Sequence, residues 1–246
     1  MSVLSVEGVS YRYPDGTEAL RGVSFDIEDG ACVGLVGPNG AGKTTLVSVL
    51  AGFFEPSAGS VAVGGVRMGA STLAEVRARV GFVFADPDDQ LFMPTVLEDV
   101  CFGPLAGGAS PEEAKGRALE LLNALGIGAL ASKFPGHLSA GQKRLATLAG
   151  VLVQSPRLLV LDEPTAFLDP FARRDTLSRL KGLSQARLLV THDLEAVVEL
   201  CSLVLLLDEG RVVARGTPAS VLGDVALMSA HRLERPHILS HGHPHS

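Results

Sequence analysis

Long apolar runs are missing from this 246-residue chain; the longest, such as 203–207, fall far short of the roughly 20 residues that cross a bilayer. No transmembrane helix is expected, and the N-terminus shows no signal-peptide pattern, so the expected location is cytoplasmic. Cysteine is scarce. Cys32, Cys101 and Cys201 sit far apart in apolar contexts without C-x-x-C spacing, which excludes a zinc site or disulfide framework and leaves three buried thiols in a reducing compartment. Runs of lysine or arginine are also missing, and the net charge is −6, which argues against nucleic acid as the main partner. Internal repeats and low-complexity segments do not occur before the tail. What is present is 46% hydrophobic sequence, enough for one large core or a core with an attached subdomain.

The apolar run 32–36 leads into Gly37-Pro38-Asn39-Gly40-Ala41-Gly42-Lys43-Thr44, a full G-x-x-x-x-G-K-[ST] pattern between a strand and a helix. Glycines at 37, 40 and 42 let backbone N–H groups approach a polyphosphate, and the helix N-terminus, with Thr45 in its first turn, adds unpaired donors. Lys43 reaches the terminal phosphates and Thr44 ligates Mg²⁺. A second buried run, 158–161, ends at Asp162-Glu163. Asp162 is placed to hold Mg²⁺ through its water shell, and Glu163, before Pro164, to act as general base on the attacking water.

With these motifs, the chain resembles the ATP-binding subunit of an ABC (ATP-binding cassette) transporter across about residues 3–216. The resemblance implies a P-loop NTPase (RecA-like) α/β core with an antiparallel β flap and an inserted α-helical subdomain. The core is expected at 1–85 and 155–216 and the helical subdomain at 86–154, with a C-terminal extension at 217–246. It also implies that two subunits face each other head to tail, so that Leu138-Ser139-Ala140-Gly141-Gln142 of one caps ATP on the P-loop of the other. Ser139 is a plausible N-cap, and Gly141 permits close approach; Ala140 replaces the usual second glycine. Tyr13 matches the aromatic that stacks on adenine, with Tyr11 nearby as an alternative. Asp169, within 167–170, matches the loop linking the protomers, and His192 the switch histidine at the γ-phosphate. One position departs: Ala85 stands where the family has a glutamine approaching Mg²⁺ and water, which implies slow hydrolysis, and Gln90 is not expected to replace it.

Alternating residues (Val3, Ser5, Glu7; Val23, Phe25, Ile27) predict flap strands at 3–9 and 19–27, and short strands at 60–63 and 80–84 are expected to complete the first half of the core. A helix is expected from Pro111, capped by Ser110, to Gly126. Parallel strands are expected at 158, 187 and 203, and a last strand through Ala214. Segment 86–104 resembles the ATPase of energy-coupling-factor importers, especially the cobalt and nickel branch. That resemblance implies membrane-embedded transport subunits, a substrate-binding membrane subunit and a peripheral position on the cytoplasmic face. Phe92, Met93, Phe102 and Leu105 are candidates for the docking groove. His241, His243 and His245 alternate, a spacing suited to Ni²⁺ or Co²⁺. Vitamin importers, a soluble non-transport ATPase and a non-hydrolysing clamp are the alternatives.

Overall fold

The computed structural model describes residues 2–239, and His241, His243 and His245 lie outside them. In chain order, β1 (Ser2–Arg12) and β2 (Glu18–Glu28) precede β3 (Cys32–Val36), α1 (Lys43–Leu50), β4 (Ala58–Val63) and β5 (Val66–Arg67). Then come α2 (Leu73–Arg79), β6 (Val80–Val83), α3 (Val96–Ala106), α4 (Pro111–Ala124) and α5 (Ala140–Leu152). β7 (Leu158–Asp162), α6 (Pro170–Lys181), β8 (Ala186–Val190), α7 (Leu194–Leu200), β9 (Leu203–Asp208) and β10 (Arg211–Gly216) follow, and α8 (Pro218–Leu222) and α9 (Val225–Ala230) pack at the end.

Strand β3, β7 up to Leu161 and β8 from Leu188 are apolar runs because both of their faces are covered, the expected pattern for parallel strands between layers. They form the centre of a sheet in the order β10-β9-β3-β8-β7-β6, parallel except for β10, which pairs antiparallel with β9. The second sheet, β2-β1-β4-β5, is antiparallel. β4 therefore belongs to the flap and not to the core sheet: its Val61 and Val63 pair with Val6 and Leu4 of β1. In β1, Val3, Leu4, Val6 and Val9 are buried and Glu7 is exposed, with register shifts between Ser2 and Leu4 and between Val6 and Val9 breaking the alternation.

Three apolar clusters hold these layers. Phe25, Ile27 and Leu20 of the flap pack with α1 on one face of the core sheet. The other face is covered by Leu148 and Leu152 of α5, Leu180 of α6 and Val197 of α7, and by Val221 and Met228 from the C-terminal helices. Helices α3, α4 and the near side of α5 share the third cluster. Caps follow the sequence: the Ser110 hydroxyl accepts from Glu113 N–H with Pro111 in the first turn, and Thr95 caps α3 likewise. All three cysteines are buried thiols, although Cys32 and Cys201, 169 residues apart in sequence, bring their sulfurs to 3.6 Å. No helix among the described residues is long and apolar enough to cross a membrane.

Candidate functional site

β3 delivers the chain to Gly37 in the middle of the sheet, and α1 starts at Lys43 with Gly42 at its N-cap in a left-handed conformation, φ 103°. A Cβ at Gly42 would lie 2.6 Å from the Ala19 carbonyl oxygen, so the loop passes where only glycine fits. Lys43 Nζ donates to the carbonyls of Gly37 (2.6 Å) and Pro38 (3.0 Å), folding the ammonium over its own loop. Burial pushes the Lys43 pKa down, and Glu163 and Asp162 oppose that shift.

The loop from Asn39 onward lines one cleft of about 760 Å³, and Gly37 and Pro38 lie outside its lining. Asn39, Gly40, Ala41 and Gly42 form its floor with Lys43, Thr44 and Thr45, while Asp162, Glu163 and His192 arrive from β7 and β8. Tyr13 lines the cleft and its hydroxyl lies 3.0 Å from Thr45 Oγ1, whereas Tyr11 stacks on Phe54 with centroids 4.8 Å apart. The pKa of Asp162 is raised first by burial and then by Glu163, against the pull of Lys43 and Arg144. Thr44 and Asp162 are hard oxygen donors on one cleft, and a half-buried carboxylate beside a second acid, Glu163, suits Mg²⁺.

Glu163 is held by several donors. It sits in the left-handed region, φ 46°, a conformation costly for a residue with a Cβ. Its Oε2 accepts from the Thr191 hydroxyl (2.7 Å), and Oε1 from His192 N–H (3.1 Å) and His192 Nδ1 (2.7 Å). A carboxylate oxygen only accepts, so Nδ1 carries the hydrogen and Nε2 is left facing outward on a ring that is 77% exposed.

Asp193 buttresses this loop. It accepts two bonds from Arg173 (2.8 and 2.9 Å), one from the Thr165 hydroxyl (2.9 Å) and one from Ala196 N–H (3.0 Å). Burial alone would raise its pKa, but Arg173, Ala196 and Thr165 together hold it below the usual carboxylate range. A depressed folded pKa contributes stability above the unfolded value that is lost as pH falls through the folded one. Asp193→Asn should therefore cost about 2 kcal/mol at neutral pH, a drop in Tm of roughly 4–8 °C. Thermal unfolding checks this. The gap from the unsubstituted protein should shrink below the carboxylate range, and equal Tm values at pH 7 would show that the pair contributes nothing.

The remaining predicted residues lie elsewhere. Ser139 and Gln142 form a reciprocal capping box at the start of α5, Gln142 N–H to Ser139 Oγ 3.3 Å and Ser139 N–H to Gln142 Oε1 3.1 Å. Neither these residues nor Ala140 and Gly141 line the cleft of their own chain. A Cβ at Gly141 would sit 2.9 Å from that of Ala172. Asp169 caps α6, accepting from the N–H groups of Phe171 and Ala172, and Phe167 beside it is 89% exposed. Ala85 lines the cleft, and Gln90 is spent on the edge strand: it donates to the Phe82 carbonyl and accepts from Phe84 N–H.

Sequence reasoning missed Arg144. It recurs at i, i+4 and i+7 with Leu148 and Val151, a spacing that placed an arginine on a buried face. Thr191 was passed over as strand-end sequence. Glu18, Arg21 and Glu209, on the far rim of the cleft, carry no motif.

A strand-loop-helix phosphate cradle on a parallel sheet, with paired acids at the end of a neighbouring strand, defines a P-loop nucleotide hydrolase. The chain belongs to the ABC transporter family, which matches residues 20–166, and it is an ABC-type ATPase subunit. A putative ABC transporter ATP-binding protein of Geobacter sulfurreducens is 47% identical over 95% of this chain and 94% of its own length. The energy-coupling factor transporter ATP-binding protein EcfA of Methanocaldococcus jannaschii is 40% identical over 97% of this chain and 87% of its own. Among solved structures, cbiO1 from Clostridium perfringens, part of the ABC transporter complex cbiONQ, superposes with TM-score 0.84 and 35% identity, covering 97% of this chain and 98% of that one. A dimeric post-hydrolysis ATP-binding cassette, MJ0796 bound to ADP and Pi, gives TM-score 0.77 at 27% identity over 87% of this chain and 98% of its own.

Proposed function

We propose that this chain is the ATPase of an energy-coupling-factor importer that closes over two Mg·ATP as a dimer and drives uptake of nickel or cobalt. The observation that carries it is the likeness to EcfA and to cbiO1 over nearly the whole chain. In each composite site, one protomer contributes Tyr13 to adenine and the P-loop with Lys43 to the phosphates. Glu163 takes the proton of the attacking water, and His192, held through Nδ1–H on Glu163, donates to the γ-phosphate when Nε2 carries a proton as well. Thr44 would hold Mg²⁺ directly and Asp162 through its water shell, and the ion would offset phosphate charge. The other protomer contributes Ser139 and Gly141 from the start of α5.

Contact with the membrane subunits falls on the surface beside β6. Phe92 and Phe102 pack edge to face, centroids 5.1 Å apart, and both are exposed, as is Leu105; Phe102 also lines a groove of about 230 Å³. Met93 is half-buried beside them, its N–H bonded to Asp99. A helix of a membrane-embedded partner is the occupant of this patch in our reading, with the subunit a peripheral component on the cytoplasmic face of the membrane. A separate membrane subunit would select the substrate.

The test is cellular nickel and cobalt content, at limiting external metal, in cells lacking the protein and in cells restored with wild type or Glu163→Gln. Recovery of one metal with wild type alone is the expected result. Unchanged metal content alongside ATP hydrolysis by the purified protein would overturn the cargo assignment and leave vitamins as the next class to assay.

A further inference from the structure

Arg144 is 2% exposed, one of the largest fully buried side chains in the protein. It lies on α5 among Leu145, Ala146 and Leu148, where an aliphatic residue would pack without removing a charge from water. Burial lowers its pKa, and Asp86 and Asp162 are the acids that oppose that shift. Its Nε–H is buried with no hydrogen-bond partner, a further penalty that a residue kept only for stability would not carry.

The two terminal nitrogens of the guanidinium are both engaged. Nη1 donates to the Phe84 carbonyl (2.6 Å), while Nη2 donates to the Ala85 carbonyl (2.6 Å) and, longer, to the Glu163 carbonyl (3.4 Å). These oxygens sit at the ends of adjacent parallel strands, β6 and β7. Glu163 needs such restraint because its backbone is in the left-handed region. Its N–H is fixed on one side by the Val190 carbonyl at 2.8 Å, and its own carbonyl meets Arg144 on the other. The neighbouring Lys143 bonds to Asp88 at 2.6 Å, so α5 grips the loop after β6 at two points. Position 85 offers no functional side chain, and its backbone oxygen is the group in contact.

We propose that Arg144 is a positioning residue for hydrolysis: its guanidinium clamps the Phe84, Ala85 and Glu163 carbonyls, locking the catalytic carboxylate to α5 and to the loop after β6 through backbone atoms. Movement of that loop then reaches Glu163 without a side chain at position 85. The inference rests on Glu163 serving as the base.

The test uses the full chain with Arg144→Gln and Arg144→Lys. Turnover is expressed per nucleotide-binding site, counted by titration with a fluorescent ATP analogue in Mg²⁺. Misplacing the carboxylate by a fraction of an ångström should lower kcat between about ten- and a hundredfold, with KM and analogue affinity held within about twofold. In single-turnover assays on Glu163→Gln, adding Arg144→Gln should give no further loss, because the arginine acts through that carboxylate. Unchanged kcat per site, affinity falling in parallel with kcat, or additive losses would each overturn the clamp. So would loss of nucleotide binding in both variants, which assigns Arg144 to folding alone. Glu163→Gln by itself separates the two readings: if it keeps wild-type turnover, the base assignment has failed independently of the clamp.

Discussion

Glu163→Gln should slow ATP hydrolysis by between about 10²- and 10⁴-fold while leaving Mg·ATP binding intact. The geometry makes this a clean substitution. Glutamine can turn its carbonyl oxygen toward His192 N–H and Nδ1–H, which now donate to Oε1, and its amide toward Thr191 Oγ1. That hydroxyl oxygen can accept, as it already does from Asp193 N–H. The loop therefore stays in place and only the basic oxygen is lost. Phosphate release and equilibrium nucleotide binding measure the two halves separately. A variant retaining a tenth of wild-type turnover would remove Glu163 from the role of base, and a variant that no longer binds ATP would show that the loop collapsed.

Gly37→Ala should damage both stability and binding, because the conflict it creates is with backbone. A Cβ there runs into the carbonyl oxygen of Leu207 on β9 and approaches Ala41 Cβ to 3.3 Å. Neither strand can yield inside the packed sheet, so the P-loop must shift. The expected cost is about 1–3 kcal/mol, a fall in Tm of roughly 2–12 °C for a chain of this size. The Gly37 carbonyl also anchors Lys43 Nζ at 2.6 Å, so the shift carries the ammonium with it. ATP affinity should drop roughly tenfold to a hundredfold, the range of one charge-assisted hydrogen bond. Gly40→Ala is the control. Its Cβ meets nothing within 4 Å and only the left-handed backbone, φ 79°, is at issue, which costs about 1–2 kcal/mol. Equal effects from the two would show that backbone conformation, and not the clash, governs the loop.

Local chemistry explains why the cleft was legible in one dimension. Residues 37–44 and 158–163 announce a strand-turn-helix and a strand-acid junction through glycine, lysine and carboxylates at fixed spacing. Ser110 and Ser139 declare helix starts by the same local logic. The flap was harder. β4 reads as a short apolar strand of the core, and only its pairing with β1 assigns it to the flap. The face of β1 turned on a bulge that alternation alone cannot locate.

The sequence by itself determined the nucleotide chemistry of this protein, because a phosphate cradle and its acids are short motifs whose function follows from composition and spacing. Tertiary structure decided what those acids touch. Glu163 meets Thr191 and His192 from 28 and 29 residues away, Arg144 reaches carbonyls 19, 59 and 60 residues distant, and Gln90 is drawn off to the edge of β6. Such contacts form between strand ends that become neighbours only when the sheet assembles, and sheet order is set by packing both faces of β3, β7 and β8, not by any local run of residues.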